Sequence, residues 1–399
     1  MPHGEAVSSV SSRRLTVVGL CLLLAASTGC ARGAKAEKAS DSAAASPAQS
    51  APAGGGNEAP AVSPMLALGY RPDWRGYPQV DAKAGIKFLD VLGDVVAVHD
   101  GRNILTAMEP GSGKNRWSLD LGSPLMKFVG NARSGDMLYA CSQSEIQVLD
   151  VRTGQIKARQ RLASLANTRP VLSGSVAVFG SSTGEVLGHN LFTGYKQWAY
   201  KLGGTVRADP VITGETTEEG TRSVAVVSQT GDVIILDPRT GESFGRRRSI
   251  FDGLENNPAA NDSSVFIAGT DQSVWSVSDD GRLNWRVRTP DRLTGQPAVH
   301  ENSVIVDVPS TGLTAFDTGS GAKQWTAKGV SGEVIAVRKG RLVVWDRVNK
   351  AMLTLDAARG DVVDRAPASD VTIVAVDAFV DGNLYVGRGD GSVEKFSPR

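Results

Sequence analysis

The sequence predicts an all-β protein closed into a single ring of eight four-stranded blades, a β-propeller. Three observations carry this. A turn glycine recurs seven times at intervals near forty residues, an acidic or amide residue stands four places before it, and tryptophan often stands four places after it. Self-similarity at such a period marks a repeat architecture.

The turn glycines are Gly113, Gly154, Gly194, Gly241, Gly281, Gly321 and Gly360, at spacings of 41, 40, 47, 40, 40 and 39. Glu109, Asp150, Asn190, Asp237, Asp317 and Asp356 precede six of them by four. In the seventh copy, VWSVSDDG, the turn is one residue shorter. Trp117, Trp198, Trp285 and Trp325 follow four of them. An Asp or Asn side chain can hydrogen-bond the backbone of the turn it opens. Glycine takes the positive φ that lets the next strand leave directly. Tryptophan buries a large flat surface against a neighbouring unit and keeps an N–H for a partner.

Between the turns, runs such as IQVLDVRTG, VIILDPRTG and LTAFDTGSG read as strands, and no stretch keeps a helical period. About forty residues hold four short strands and their turns, which is one blade, and blades in a ring protect their sheet edges. A sandwich of regular strands could share the spacing, but seven copies of one turn argue against it. Seven blades with irregular ends is the fallback count.

Taken in order, residues 1–29 read as a leader. Arg13 and Arg14 precede an apolar run from Leu15 to Ala26, too short to span a bilayer. The run ends in Ala26-Ser27-Thr28-Gly29-Cys30, which resembles a bacterial lipobox and makes Cys30 the expected lipidation site. Ser27 stands where that pattern more often has Leu. Ala31 rather than Asp follows the cysteine, so the inner-membrane retention signal is absent. Residues 30–64 are rich in Ala, Ser, Gly and Pro and read as a disordered tether. Its root-mean-square span would be on the order of 30–35 Å.

The propeller is expected over 65–399. The chain ends in GSVEKFSPR, the strand that elsewhere precedes the turn, so the last blade is one strand short. The segment around Leu66 to Tyr77 can supply it, pairing with strands from Val371 to Phe396. This closes the ring and removes two open edges. Trp74 lies in that segment with no turn before it, and so stands outside the repeat.

The longest interval contains GETTEEGTRS, Gly214 to Ser223, expected as a solvated hairpin loop. Arg246 to Arg248 follow the next turn and read as a solvated basic run. Without the leader's two arginines and one glutamate, the 43 basic and 42 acidic residues become 41 of each. A chain of zero formal charge offers no overall field for nucleic acid. With Cys30 acylated, Cys141 in LYACS is alone, reads as a small buried apolar residue, and leaves no disulfide framework.

No metal or catalytic constellation is legible. His3, His99, His189 and His300 are far apart with no ligand spacing, there is no Asp-rich calcium loop, and His189 beside a turn reads as structural. There is no G-x-S-x-G elbow, and the Gly-rich turns do not open helices as phosphate loops do.

The figure Ala/Val-x-x-Asp-x-x-Thr-Gly-x-x-x-Trp resembles the repeat of the PQQ-type β-propeller superfamily. VIILDPRTG (Val233 to Gly241), LTAFDTGSGAKQW (Leu313 to Trp325) and NLFTGYKQW (Asn190 to Trp198) carry it best, and the likeness runs from about Phe88 to the C-terminus. The quinone-dependent alcohol dehydrogenases of this superfamily use a vicinal cysteine pair and a calcium site. This chain has no adjacent cysteines and is far shorter, so neither PQQ, nor metal, nor enzymatic activity is expected. The layout of lipoprotein signal and single propeller is similar to the BamB-type lipoproteins of the outer-membrane β-barrel assembly machinery. That resemblance implies a cofactor-free scaffold, lipid-anchored at the outer membrane and facing the periplasm, that docks through propeller loops on a subunit of the assembly complex. By the same resemblance, Leu165, Arg169, Arg207 and Asp209 are the candidate partner-binding residues. An envelope propeller binding a polysaccharide or a different protein complex is the alternative.

Overall fold

A computed structural model describes residues 64–399 apart from 82, 217–221 and 251. The leader, Cys30 and the tether through residue 63 lie outside the described residues. The described chain is almost wholly strand and turn, with one 3₁₀ turn at Pro64–Leu66.

Eight four-stranded antiparallel sheets form, seven of them in simple chain order. Blades 1 to 7 span residues 86–120, 128–161, 171–201, 211–249, 259–288, 298–328 and 333–367. Blade 8 takes Val371–Val376, Leu384–Arg388 and Val393–Pro398, and its outermost strand is Tyr70–Gly76 from the other end of the chain. The register runs from Tyr70 opposite Pro398 to Gly76 opposite Val393. The innermost strands adjoin one another around the axis, and that of blade 8 meets that of blade 1. The ring is therefore closed at eight, and the seven-bladed count is discarded.

The two middle strands of a blade are covered on both faces by neighbouring blades, which is why they read as continuous apolar runs. Val176–Gly180 and Asp232–Leu236 are buried at every position. The core accordingly lies between blades. Val178, Val186 and Trp198 of blade 3, for example, pack with Val226 and Ile234 of blade 4.

The repeated turn behaves as its residues dictate. Gly154 donates its N–H to the Asp150 carbonyl at 2.9 Å, and Gly321 donates to Asp317 at 2.8 Å. The Asp317 carboxylate accepts from the Gly319 and Ser320 amides. All seven glycines have φ between 70° and 80°. In the shorter copy Gly281 reaches back only to Ser278. The strands on either side of the insertion pair, with Thr213 opposite Ser223, and residues 217–221 lie outside the described residues. Arg248–Ser249 becomes the short outermost strand of blade 4, with Arg246 and Arg247 exposed beside it.

Each repeat tryptophan docks on the next blade's turn. Trp117 donates its indole N–H to the Val151 carbonyl at 3.0 Å, Trp198 to Pro238 at 2.7 Å, Trp285 to Thr318 at 2.9 Å and Trp325 to Ala357 at 3.0 Å. The ring lies so close over the turn glycine that a Cβ on Gly154, Gly241, Gly321 or Gly360 would stand 2.4–2.8 Å from it. Trp74 is a correction to the sequence reading. Although no turn precedes it, it donates to Pro110 at 2.8 Å and lies over Gly113 in the same way. The closing strand thus brings its own tryptophan into the repeat's dock.

Candidate partner-binding face

In a blade of this topology, the link to the next blade and the loop between the second and third strands emerge on one face of the ring. Three successive links there present side chains to solvent. Leu125, on the link from blade 1 to blade 2, is 89% exposed, and Leu165 on the next is 56% exposed. Arg207 is exposed on the third.

The links are held tightly. Asn103, buried and with φ 72°, donates its side-chain amide to the carbonyls of Ser123 (2.7 Å) and Met126 (2.9 Å) on either side of Leu125. Gln147 holds the Leu121 carbonyl at 2.8 Å. Next to Leu165, the Ala166 N–H bonds Gln143 at 2.8 Å and Asn167 bonds Gly180 at 2.7 Å. Ser164 bonds the Glu185 carboxylate. The Val206 N–H before Arg207 bonds Ser181 at 3.0 Å, and Val206 itself is buried. Two leucines and an arginine therefore stand on anchored backbone, so little ordering entropy opposes a partner that covers them.

The other two candidate residues lie elsewhere. Arg169 leads into the innermost strand of blade 3, and its side chain crosses Gly130 on the innermost strand of blade 2 toward blade 1. Its guanidinium reaches Asp90 at 2.6 Å and stacks 4.9 Å from the Phe88 ring centre. Asp90 also accepts from the Asn131 side chain at 2.8 Å. Asp209 accepts the Arg169 backbone N–H at 2.8 Å and donates its own N–H to Asn257 at 2.8 Å. Burial raises the Asp209 carboxyl, against the pull of the Arg169 N–H and guanidinium. Asp90, Arg169, Asp209 and Asn257 thus form a hydrogen-bonded chain linking blades around the axis. The four candidates divide into two exposed side chains, Leu165 and Arg207, and two inner-ring connectors, Arg169 and Asp209.

Leu125 and the connectors Asp90 and Asn257 were missed in the sequence. A signal for the chain exists: Arg169-Pro170, Asp209-Pro210, Asn257-Pro258 and Gln296-Pro297 each place a polar residue before proline at the start of an inner strand. A residue before proline is kept extended. Leu125 has no comparable signal, because an exposed leucine on a link looks like any other residue of that loop.

Cys141 is buried, its thiol pushed well up by burial. His189 is buried and bonded to Gln160 at 3.0 Å, as a structural histidine should be. Among the described residues no group of three His, Cys, Asp or Glu side chains converges as metal ligands would.

The family description "Outer membrane protein assembly factor BamB" matches residues 73–200, 142–242 and 229–376, which together cover most of the chain. The chain belongs to this family of PQQ-repeat propellers. No curated protein matches it in sequence. Among solved structures, BamB from Moraxella catarrhalis superposes with a TM-score of 0.64 at 18% identity, over 82% of this chain and 97% of that one. The computationally designed protein Ika8 gives 0.64 at 15% identity, over 81% of this chain and all of that one. Quinohemoprotein alcohol dehydrogenase from Comamonas testosteroni gives 0.58 at 11%, over 84% and 77%. At these identities the likeness is one of fold. An assembly factor, a designed protein and an enzyme share this fold, so function has to be argued from surfaces.

Proposed function

We propose that the chain is a non-catalytic scaffold of the cell envelope, lipid-anchored through Cys30 at the outer membrane and facing the periplasm. In this reading it presents one propeller face to a protein of the outer-membrane β-barrel assembly machinery. Membership of the BamB family supports the class of role. The observation that carries it is the trio Leu125, Leu165 and Arg207 on successive anchored links. Exposed leucines beside an arginine suit a protein partner, since apolar contact gives affinity and arginine is favoured at interfaces.

A photo-crosslinker placed at residue 125 in cells is the test. Recovery of a barrel-assembly subunit, lost in the double variant L165D/R207E, supports the scaffold. Consistent recovery of other envelope components overturns it. Membrane fractionation of Cys30→Ser tests the anchor, which requires the variant to become soluble.

A carbohydrate ligand is the second reading, favoured by Phe192 and Tyr195, which are 91% and 76% exposed beside a turn on the opposite face. Glycan binding lost in F192A/Y195A and kept in L165D/R207E would select it.

A further inference from the structure

On the outer rim between blades 5 and 6 lies a cleft of about 650 Å³. Val287, Val308 and Phe316 give it an apolar floor, and Arg288, Lys323 and Lys328 stand around it. The three cations are exposed. No described carboxylate lies within ion-pairing distance of Lys323 or Lys328. Asp291, on the same link, is already taken by the Ser310 amide at 2.8 Å.

The pattern differs from that of blades 2 and 5. On the outermost strand, the residue five places past the turn glycine faces the preceding blade. In blade 2 that residue is Arg159, paired with Glu145 at 3.0 Å, and in blade 5 it is Arg286, paired with Asp271 at 2.7 Å. In blade 6 it is Thr326, bonded to Thr314 at 3.3 Å, and Lys323 and Lys328 flank it on the same side without an acid. Strand pairing puts Lys323 opposite Phe316 and Lys328 opposite Gly312. Four strand steps separate them, about 13 Å.

We propose that this cleft binds an extended acidic segment of a partner protein, with carboxylates at positions i and i+4 and an apolar side chain at i+2. In an extended chain those three side chains share one face and the outer two are about 13 Å apart, matching the two lysines. The apolar side chain between them lies over the Thr314–Thr326 pair, whose methyl groups line the cleft with Val287. The cleft lies three blades around the ring from Leu165, so this site stands or falls independently of the loop face.

The probe is a fluorescein-labelled peptide containing Glu-Ser-Leu-Thr-Glu, titrated against the full chain and read by anisotropy. Two control peptides carry Lys-Ser-Leu-Thr-Lys and Glu-Ser-Gly-Thr-Glu. The acidic peptide should bind saturably, and about tenfold more weakly when salt is raised from low to high. K323E/K328E, checked for an unchanged thermal melt, should lose it about tenfold and take up the lysine peptide instead. The glycine peptide should bind several-fold more weakly, about what a lost apolar anchor costs. Equal affinity in wild type and K323E/K328E, no saturable binding, or binding of decanoate without the peptide would each overturn the proposal and leave lysines that only keep the rim soluble.

Discussion

Two kinds of joint hold this ring, and the difference shows what a joint requires. Five joints are tryptophan docks, in which an indole plate covers a turn glycine and its N–H reaches the first carbonyl after the acidic residue. Three joints do without. Between blades 2 and 3 the tryptophan position is Ala158, and Gln160 reaches across instead. Its amide donates to the Leu191 carbonyl at 2.8 Å, the same carbonyl position the indoles use, and its oxygen meets His189. Between blades 4 and 5 backbone packs on backbone, with the Arg246 carbonyl close over Gly281. Between blades 7 and 8 the chain ends do the work. Val337 donates its N–H to the Phe379 carbonyl at 2.7 Å and accepts the Asp381 N–H at 2.8 Å across the gap, Arg338 pairs with Asp381 at 2.6 Å and also holds the Arg399 carbonyl, and Met65, Leu68 and Tyr70 fill the core beside Trp345. The joint needs a satisfied carbonyl and a flat, water-free contact. Tryptophan is one way to provide both.

The comparison breaks most severely at the closure. Deleting Tyr70–Gly76 removes the outermost strand of blade 8 and the Trp74 dock together. Equilibrium denaturation should lose its single cooperative transition, and an exposed edge should promote association. Trp285→Ala, at an ordinary dock, should cost about 3–5 kcal/mol in urea denaturation. A loss below about 1 kcal/mol there would mean the docks are ornaments on an already stable ring.

The inner side of the joint between blades 1 and 2 offers a pH test. His99 is buried between Phe88 and Phe128, ring centres 5.6 and 4.7 Å away. Burial, aided by Lys87, holds its imidazole down to about 4 against an ordinary 6.5. Between those values the unfolded chain takes a proton that the folded one refuses, so stability falls as pH drops through the window. The loss approaches about 3 kcal/mol near pH 4. His99→Leu should flatten the difference in stability between pH 7 and pH 4.5 by most of that amount.

Smaller effects separate the substitute joint from the standard one. Gln160→Leu leaves the Leu191 carbonyl and His189 unpaired and should cost about 1–3 kcal/mol. Gly321→Ala puts a side chain at φ 72° and a Cβ 2.8 Å from Trp285. It should cost about 1–2 kcal/mol from the backbone, and more where the indole cannot give way. Each is read as a shift in denaturation midpoint against wild type.

The ring was legible in the sequence because its turn chemistry is local. Asp, Thr and Gly act within five residues, so Gly113 through Gly360 declare themselves along the chain. The missing strand at the C-terminus was legible by subtraction. Trp74 was not, since its dock is made by a strand pairing across 70 and 398, and nothing beside it in sequence says so. Gln160 was not either, because it stands two places beyond the tryptophan position and does the job from there. The candidate face was half legible. Leu165 and Arg207 do project into solvent, whereas Arg169 and Asp209 are claimed by partners forty or more residues away, which spacing alone does not reveal.

The pairing of Tyr70 with Pro398 also sets an order of events in the life of the chain. The strand Tyr70–Gly76 waits without its pairing partner while more than three hundred further residues are made, because that partner is Val393–Pro398, and Leu68 and Tyr70 wait as well for blade 7, against which they pack. Every blade before the eighth can condense on its neighbour as it appears. The seal comes last, in one step between distant ends, and the cost of that meeting grows only slowly with the length between them. A chain cut short by a single strand would therefore not be a slightly smaller propeller but an open one, with a sticky edge at each lip.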